Sequence, residues 1–216
     1  MHDKDLTKVT FPDLSGRRVV IAGGTGGAGE GIVKAWPQAG AQVIVPSRTQ
    51  GRVDQFLRAA GDLEGDLHFV VGDYTSFDSA AELADRIIAE HGEITDVVAS
   101  IGGWWQGKAL WEVDEQDRQR WFVGLSTAHM AMARAWIPRL PQGGSYLLIL
   151  GGSAVIPVPG ASLMNMEQAS LLMMQRVLAA EVGDQRRIGA EVLGPVATRS
   201  RNWVDALDAS TPTGCG

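Results

Sequence analysis

Three glycines, Gly23, Gly27 and Gly29, follow the apolar run "RVVIA" (18–22) and open a helical pattern. Their G-x-x-x-G-x-G spacing suits the binding of a pyrophosphate. A glycine where a strand ends permits a tight turn, and a second lets backbone N–H groups approach the anion. The helix that follows adds partial positive charge through its unpaired first-turn N–H groups. Thr25, Gly26 and Ala28 belong to the same turn and are expected to touch the ligand with it. A flexible turn or a close helix–strand contact would also use glycines, but the place after the first strand of an alternating array favours the phosphate.

Some 20 residues past such a turn, an acidic residue would bond a ribose 2′-hydroxyl. Here the chain reads "VIVPSRTQGR", with Ser47, Arg48 and Arg52 supplying a hydroxyl and cations instead. That chemistry suits a 2′-phosphate, so NADP(H) is expected in preference to NAD(H). Arg48 also reads as a solvated loop arginine. Asp73, beside Tyr74 in "VVGDYTS", either bonds the adenine amino group or caps the next helix.

The elements that must position these residues follow from the apolar patterning. Short β-branched runs at 18–22, 42–45, 67–71, 96–101, 145–150 and 187–193 alternate with helical patterns at about 28–39, 50–60, 77–91, 114–139 and 160–182. Such alternation is the signature of βαβ units around a parallel sheet buried on both faces. The expected fold class is α/β, a three-layer Rossmann fold with a doubly wound parallel sheet of about six strands and helices on both faces. Pro138 and Pro141 are expected to stop the fourth helix. One domain over 1–216 is expected, with 1–15 an N-terminal extension and 210–216 a loose tail.

Bulk properties narrow the partners. The 216 residues are 45% hydrophobic and 20% charged with a formal net charge of -6, an ordinary globular composition. Without a basic cluster, neither nucleic acid nor an anionic membrane is an expected partner. The start "MHDKDLTKVTFPDL" has no apolar signal region, and Cys215 is the single cysteine, so a cytoplasmic location is expected. No metal is expected.

Taken in order, "GGTGGAG", Asp73, the "SIGG" turn (100–103) and "LGPVATRS" (193–200) resemble the short-chain dehydrogenase/reductase family over about residues 16–200. The resemblance implies that Gly23, Gly27 and Gly29 contact the pyrophosphate. It also implies that Ser100, Gly102 and Gly103 lie against the adenosine side, and that Pro195, Val196 and Thr198 border the nicotinamide. The family's redox chemistry usually depends on an Asn, a Ser and a Tyr-x-x-x-Lys pair. Tyrosine gives or takes the hydroxyl proton, and the lysine's charge lowers its pKa and holds the ribose. Aligned through "QASLLMMQRVLAAEV", the pair falls on Met164 and Gln168, the serine on Gly151 or Gly152 beside Ser153, and the asparagine on Gly124. Register cannot restore it, because the only tyrosines, Tyr74 and Tyr146, are followed four residues later by Asp78 and Leu150, and no lysine follows Lys108.

Substitutes are few. Ser153 offers a hydroxyl to a substrate or caps a turn. Gln168 offers ribose a neutral hydrogen bond. Glu167 is the nearest ionisable group and could reach the same face as Met164 and Gln168, but is expected to be a solvated helix carboxylate, and His129 a packing or interface residue. Trp104, Trp105 and Trp111 follow the fourth strand, where they either line an aromatic or apolar substrate pocket or plug it. Met164, Met166, Met173 and Met174 give the last helix adaptable apolar surface. By resemblance a homodimer or homotetramer is expected. The expected activity is a divergent oxidoreductase acting on a small carbonyl or alcohol. A non-catalytic nucleotide-binding subunit or sensor, and a non-redox cyclase or lyase, are the alternatives.

Overall fold

A computed structural model describes residues 12–198. Its six strands are β1 (Arg18–Ala22), β2 (Gln42–Ser47), β3 (Leu67–Val71), β4 (Asp96–Ala99), β5 (Ser145–Gly151) and β6 (Arg187–Leu193). They form one sheet in the order β3-β2-β1-β4-β5-β6, every pair parallel. The order reverses between β1 and β4, and the crevice beyond the strand ends at such a reversal is where open α/β sheets bind ligands.

Alternation within the strands builds three layers, since successive side chains point to opposite faces. Val19 and Ile21 of β1, with Val43, Val45 and Val98, pack towards α1 (Gly27–Gln38) and α2 (Gln50–Ala60), where Val33 and Phe56 meet them. Val20 and Ala22, with Ile44, Val97 and Leu148, face the other way. There they meet α3 (Phe77–His91), α5 (Gly124–Trp136) and α6 (Ser162–Val182) through Leu83, Ile87, Met132, Trp136 and Leu171. Burying each larger aliphatic side chain contributes roughly 1.5–3 kcal/mol, so a strand with both faces covered is strongly specified.

The fourth helix departs from expectation. In place of one helix over 114–139 there are α4 (Glu115–Arg118), a π-turn (Gln119–Val123), α5 and a closing 3-10 turn (Ile137–Arg139) that holds Pro138. The Gly124 N–H reaches back to the Gln119 carbonyl, five residues away. Such single π-turns sit frequently at functional sites. β4 is also shorter than its apolar run, ending at Ala99, while β2 runs on through Pro46 to Ser47. Although α6 has 21 residues, no described helix is long and apolar enough to cross a membrane.

Candidate functional site

At the end of β1 the chain turns through Gly23, whose φ is 77°. A Cβ there would lie 2.1 Å from the Ser100 carbonyl oxygen, so the turn is pressed against the loop leaving β4. The Ser100 N–H donates to Ala22 O at 2.8 Å and fixes that approach. Gly29 has a packing role besides the one its spacing suggests. A Cβ on it would come within 2.5 Å of Gly23 O, so Gly29 seats α1 on the turn. Gly24, which the spacing does not single out, lets Val33 and Val45 close beneath the turn, at 2.8 and 2.9 Å from a Cβ there. Its signal in the sequence is only that it doubles Gly23.

α1 begins with the Glu30 N–H on Gly26 O at 2.9 Å. The N–H groups of Gly27, Ala28 and Gly29 therefore stand in the first turn, where no intrahelical acceptor exists. Thr198 comes from the loop after β6 to meet this helix end, with its Cγ2 3.0 Å from a Cβ on Gly27. Pro195 and Val196 lead to it along an exposed path. No group of three or more His, Cys, Asp or Glu that could hold a metal ion occurs among the described residues.

Beside the turn lies a cavity of about 270 Å³ lined by Thr25, Arg52, Gln55 and Phe56. The positive charges of Arg48 and Arg52 and a backbone hydrogen bond from Gly23 favour the ionised form of the Tyr74 hydroxyl. Burial nevertheless raises the phenol above its usual range. Ser47 is buried and its hydroxyl donates to Thr49 O at 3.4 Å, while Arg48 is exposed. Thr49 caps α2, accepting the Arg52 N–H. Asp73 accepts from the hydroxyls of Thr75 at 2.8 Å and Ser79 at 3.2 Å. Burial opposes its ionised form, yet these bonds hold its carboxyl below the usual range. The helix cap itself is Ser76.

Across the crevice, three groups converge on the end of β5. A Cβ on Gly151 would lie 3.5 Å from Ser153 Oγ and 3.8 Å from Gln168 Oε1. Gln168 Oε1 accepts the Gly151 N–H at 2.7 Å, and its Nε2 donates to Glu167 Oε2 at 2.6 Å. Met164, one turn before Gln168, is buried. Asn165 holds the segment after Ser153. Its Nδ2 donates to Ser153 O and Ile156 O, each at 2.7 Å, and its Oδ1 accepts the Val158 N–H at 3.0 Å. The pattern of α6 alone gave no sign of that clasp.

Glu167 overturns its expectation. Instead of a solvated carboxylate it is 0% exposed, and its Oε1 has no hydrogen-bond partner among the described residues. Burial lifts its carboxyl to about 7 against the pull of the Gln168 hydrogen bond. The reason lies in packing: Glu167 stands one turn from both Leu163 and Leu171, on the face of α6 that is buried.

His129 is fully buried, and its Nε2 meets Ile101 O at 2.9 Å, tying α5 to the loop after β4. Gly124 is exposed at the π-turn, and Trp121 within that turn covers Gly103, 2.8 Å from a Cβ there, while Gly102 faces open space. Arg120 stacks on Trp121 at 4.7 Å. Trp111 is 86% and Trp104 55% exposed, so neither ring plugs the crevice. A wide cavity of about 540 Å³ opens between Leu110, Ser153, the apolar segment 154–159 and Met166. Its mouth is framed by the Gly107 N–H on Gly160 O at 2.9 Å. Lys108 bonds Asp114 and Asp117, each at 2.6 Å, so the chain's last lysine is held at α4 and away from Gln168.

An enoyl-(acyl carrier protein) reductase family model matches residues 23–211. An uncharacterised oxidoreductase of Mycobacterium tuberculosis is 28% identical over 201 residues, covering 90% of this chain and 75% of that one. The cis-2,3-dihydrobiphenyl-2,3-diol dehydrogenase of Paraburkholderia xenovorans is 29% identical over 103 residues, but the match spans only 36% of its length and 48% of this chain. Among solved structures, a short-chain dehydrogenase of Burkholderia cenocepacia in complex with NADP superposes with a TM-score of 0.76 at 21% identity, covering 88% of this chain and 78% of that one. The 3-ketoacyl-(acyl-carrier-protein) reductase of Brucella melitensis complexed with NADH gives a TM-score of 0.73 at 21% identity, with 83% and 76% covered. At these identities the superpositions establish the fold.

Proposed function

Since the chain belongs to the short-chain dehydrogenase/reductase family of oxidoreductases, we propose that it binds NADP(H) and interconverts a small carbonyl and its alcohol, on a substrate with apolar or aromatic surface. One observation carries this reading. At the β1/β4 reversal the glycine turn presents the first-turn N–H groups of α1, and beside it lies a cavity lined by Thr25 and Arg52.

The residues fit the group. First-turn N–H groups at Gly27, Ala28 and Gly29 receive the pyrophosphate. Arg52 and Thr25, which line the adjoining cavity, receive a 2′-phosphate together with Arg48 from the loop after β2. Gln168 meets the ribose of the nicotinamide half, bordered by Pro195, Val196 and Thr198. When bound, the dinucleotide supplies or accepts the hydride. Met164 and Gln168 carry no acid, so the proton comes from the Ser153 hydroxyl or from water reaching it through the open cavity. Losing a placed acid–base group typically lowers the rate by about 10²- to 10⁴-fold, so slow turnover is the expectation.

Absorbance at the reduced-nicotinamide band, with NADPH and a panel of aromatic and aliphatic ketones and aldehydes, tests the reading. Tight NADPH binding with no turnover favours a second reading, a nucleotide-binding subunit without catalysis, for which the buried Met164 speaks. Cofactor choice has its own test. Arg48→Asp and Arg52→Asp are each expected to weaken NADPH binding at least about tenfold and NADH binding less than about threefold. Equal losses for both cofactors remove the 2′-phosphate assignment.

The exposed stripe of Met166, Met173 and Val177 on α6, with Met130 on α5, suits pairing with a second copy. Sedimentation that finds a monomer removes that part of the proposal.

A further inference from the structure

The amide of Gln168 is held at both ends. Its Oε1 accepts the Gly151 N–H at 2.7 Å, and its Nε2 donates to Glu167 Oε2 at 2.6 Å. A backbone N–H only donates, so the carbonyl end of the amide must face Gly151 and the amino end must face an acceptor. Glu167 is that acceptor. An amide nitrogen carries two hydrogens; one lies on Glu167, and the second has no acceptor among the described residues, in a side chain only 6% exposed.

This arrangement is bought with stability. Glu167 is 0% exposed, and one carboxyl oxygen has no hydrogen-bond partner among the described residues. A buried carboxyl left half satisfied is destabilising, and an apolar side chain of similar volume would serve the core better. Its one described side-chain hydrogen bond is the one to Gln168.

We propose that Glu167 is a positioning residue: it fixes the amide of Gln168 so that the remaining N–H points to the ribose hydroxyls of the nicotinamide half of the dinucleotide. The inference rests on the NADP(H) reading above. It makes the site's ribose anchor a neutral amide backed by an acid, where a lone flexible glutamine would be poorly directed.

Titration calorimetry with NADPH and with 2′,5′-ADP, which lacks the nicotinamide ribose, separates the possibilities when combined with thermal melts of the unliganded protein. Glu167→Met is expected to raise the melting temperature, to weaken NADPH binding about tenfold, and to leave 2′,5′-ADP binding within about twofold. Glu167→Gln keeps an acceptor and is expected to hold NADPH within about threefold of the unaltered protein. In the unliganded protein the Gln168 side-chain ¹⁵N–¹H resonances are expected to move in Glu167→Met and to show a single preferred orientation in the unaltered chain. The proposal is overturned if Glu167→Met binds NADPH as the unaltered protein does. It is equally overturned if that variant loses both ligands alike with a lower melting temperature, which is the mark of a structural role. Binding of neither ligand by the unaltered protein defeats the cofactor reading itself, and unmoved Gln168 resonances defeat the positioning role whatever the ligand results.

Discussion

Gly23→Ala is expected to abolish dinucleotide binding and to lower the stability of the fold by on the order of 3–4 kcal/mol. Two causes add. The backbone at Gly23 has φ 77°, a region that an L side chain enters only with strain. In addition, a methyl group there would sit 2.1 Å from the Ser100 carbonyl oxygen, a backbone atom held by the Ser100–Ala22 hydrogen bond. Neither side can yield without separating β1 from β4 at the point where the strand order reverses. Gly31→Ala is the control, because a Cβ there meets nothing within 4 Å. That helical glycine is expected to gain up to about 1 kcal/mol on substitution and to keep its ligand. Urea unfolding and calorimetry on the two variants read both effects; Gly23→Ala binding within about tenfold of the unaltered protein would refute the cradle.

Two buried groups are expected to give the protein opposed dependences on pH. Burial raises the Glu167 carboxyl from 4.5 to about 7. The folded chain therefore keeps a proton that the unfolded chain has released, and Glu167 makes stability fall as pH rises from about 4.5 to about 7, after which its effect is constant. His129 acts in the other sense. Burial lowers its pKa from 6.5 to about 4, against the pull of its bond to Ile101. The unfolded chain takes up a proton first as pH falls, so stability is lost from about 6.5 down to about 4. Between about pH 4.5 and 6.5 the two slopes largely cancel. Glu167→Gln removes one of them. Relative to the unaltered protein its stability is expected to grow through this window, the gap between 4.5 and about 7 being worth on the order of 3 kcal/mol at neutral pH. Urea midpoints at pH 5, 6, 7 and 8 measure the difference, and a difference that stays constant with pH would discard the assignment.

The strand runs were legible because each is short, β-branched and buried on both faces, which leaves a parallel sheet as the natural solution. The glycine turn was legible for a similar reason, its place after β1 being as informative as its spacing. Division of labour within the turn was not. Gly27 and Gly29 look alike in the sequence, yet a side chain on one would meet Thr198 while the absence of one on the other allows α1 to touch Gly23. Glu167 was misread because a carboxylate on a helix is normally solvated, although its place one turn from both Leu163 and Leu171 puts it on the face that α6 buries. Asn165 was invisible because the carbonyls it bonds belong to a loop whose path no local pattern dictates. The mouth of the site depends likewise on pairings such as Gly107 with Gly160, which join distant segments.

The π-turn between α4 and α5 has a bearing on how this molecule tolerates insertion and deletion. A turn that closes one ring over five residues holds one residue more than regular winding needs and absorbs it within a single revolution. Excising one residue from Gln119–Val123 is therefore expected to let α4 and α5 fuse into ordinary winding with α4 kept at its present azimuth, so that Asp114 and Asp117 keep Lys108. What such a deletion alters is the wide turn itself, from which Trp121 covers Gly103. The loop beyond β4 thus leans on a surplus residue in a helix, and shortening that helix would reach the loop before it reached the core.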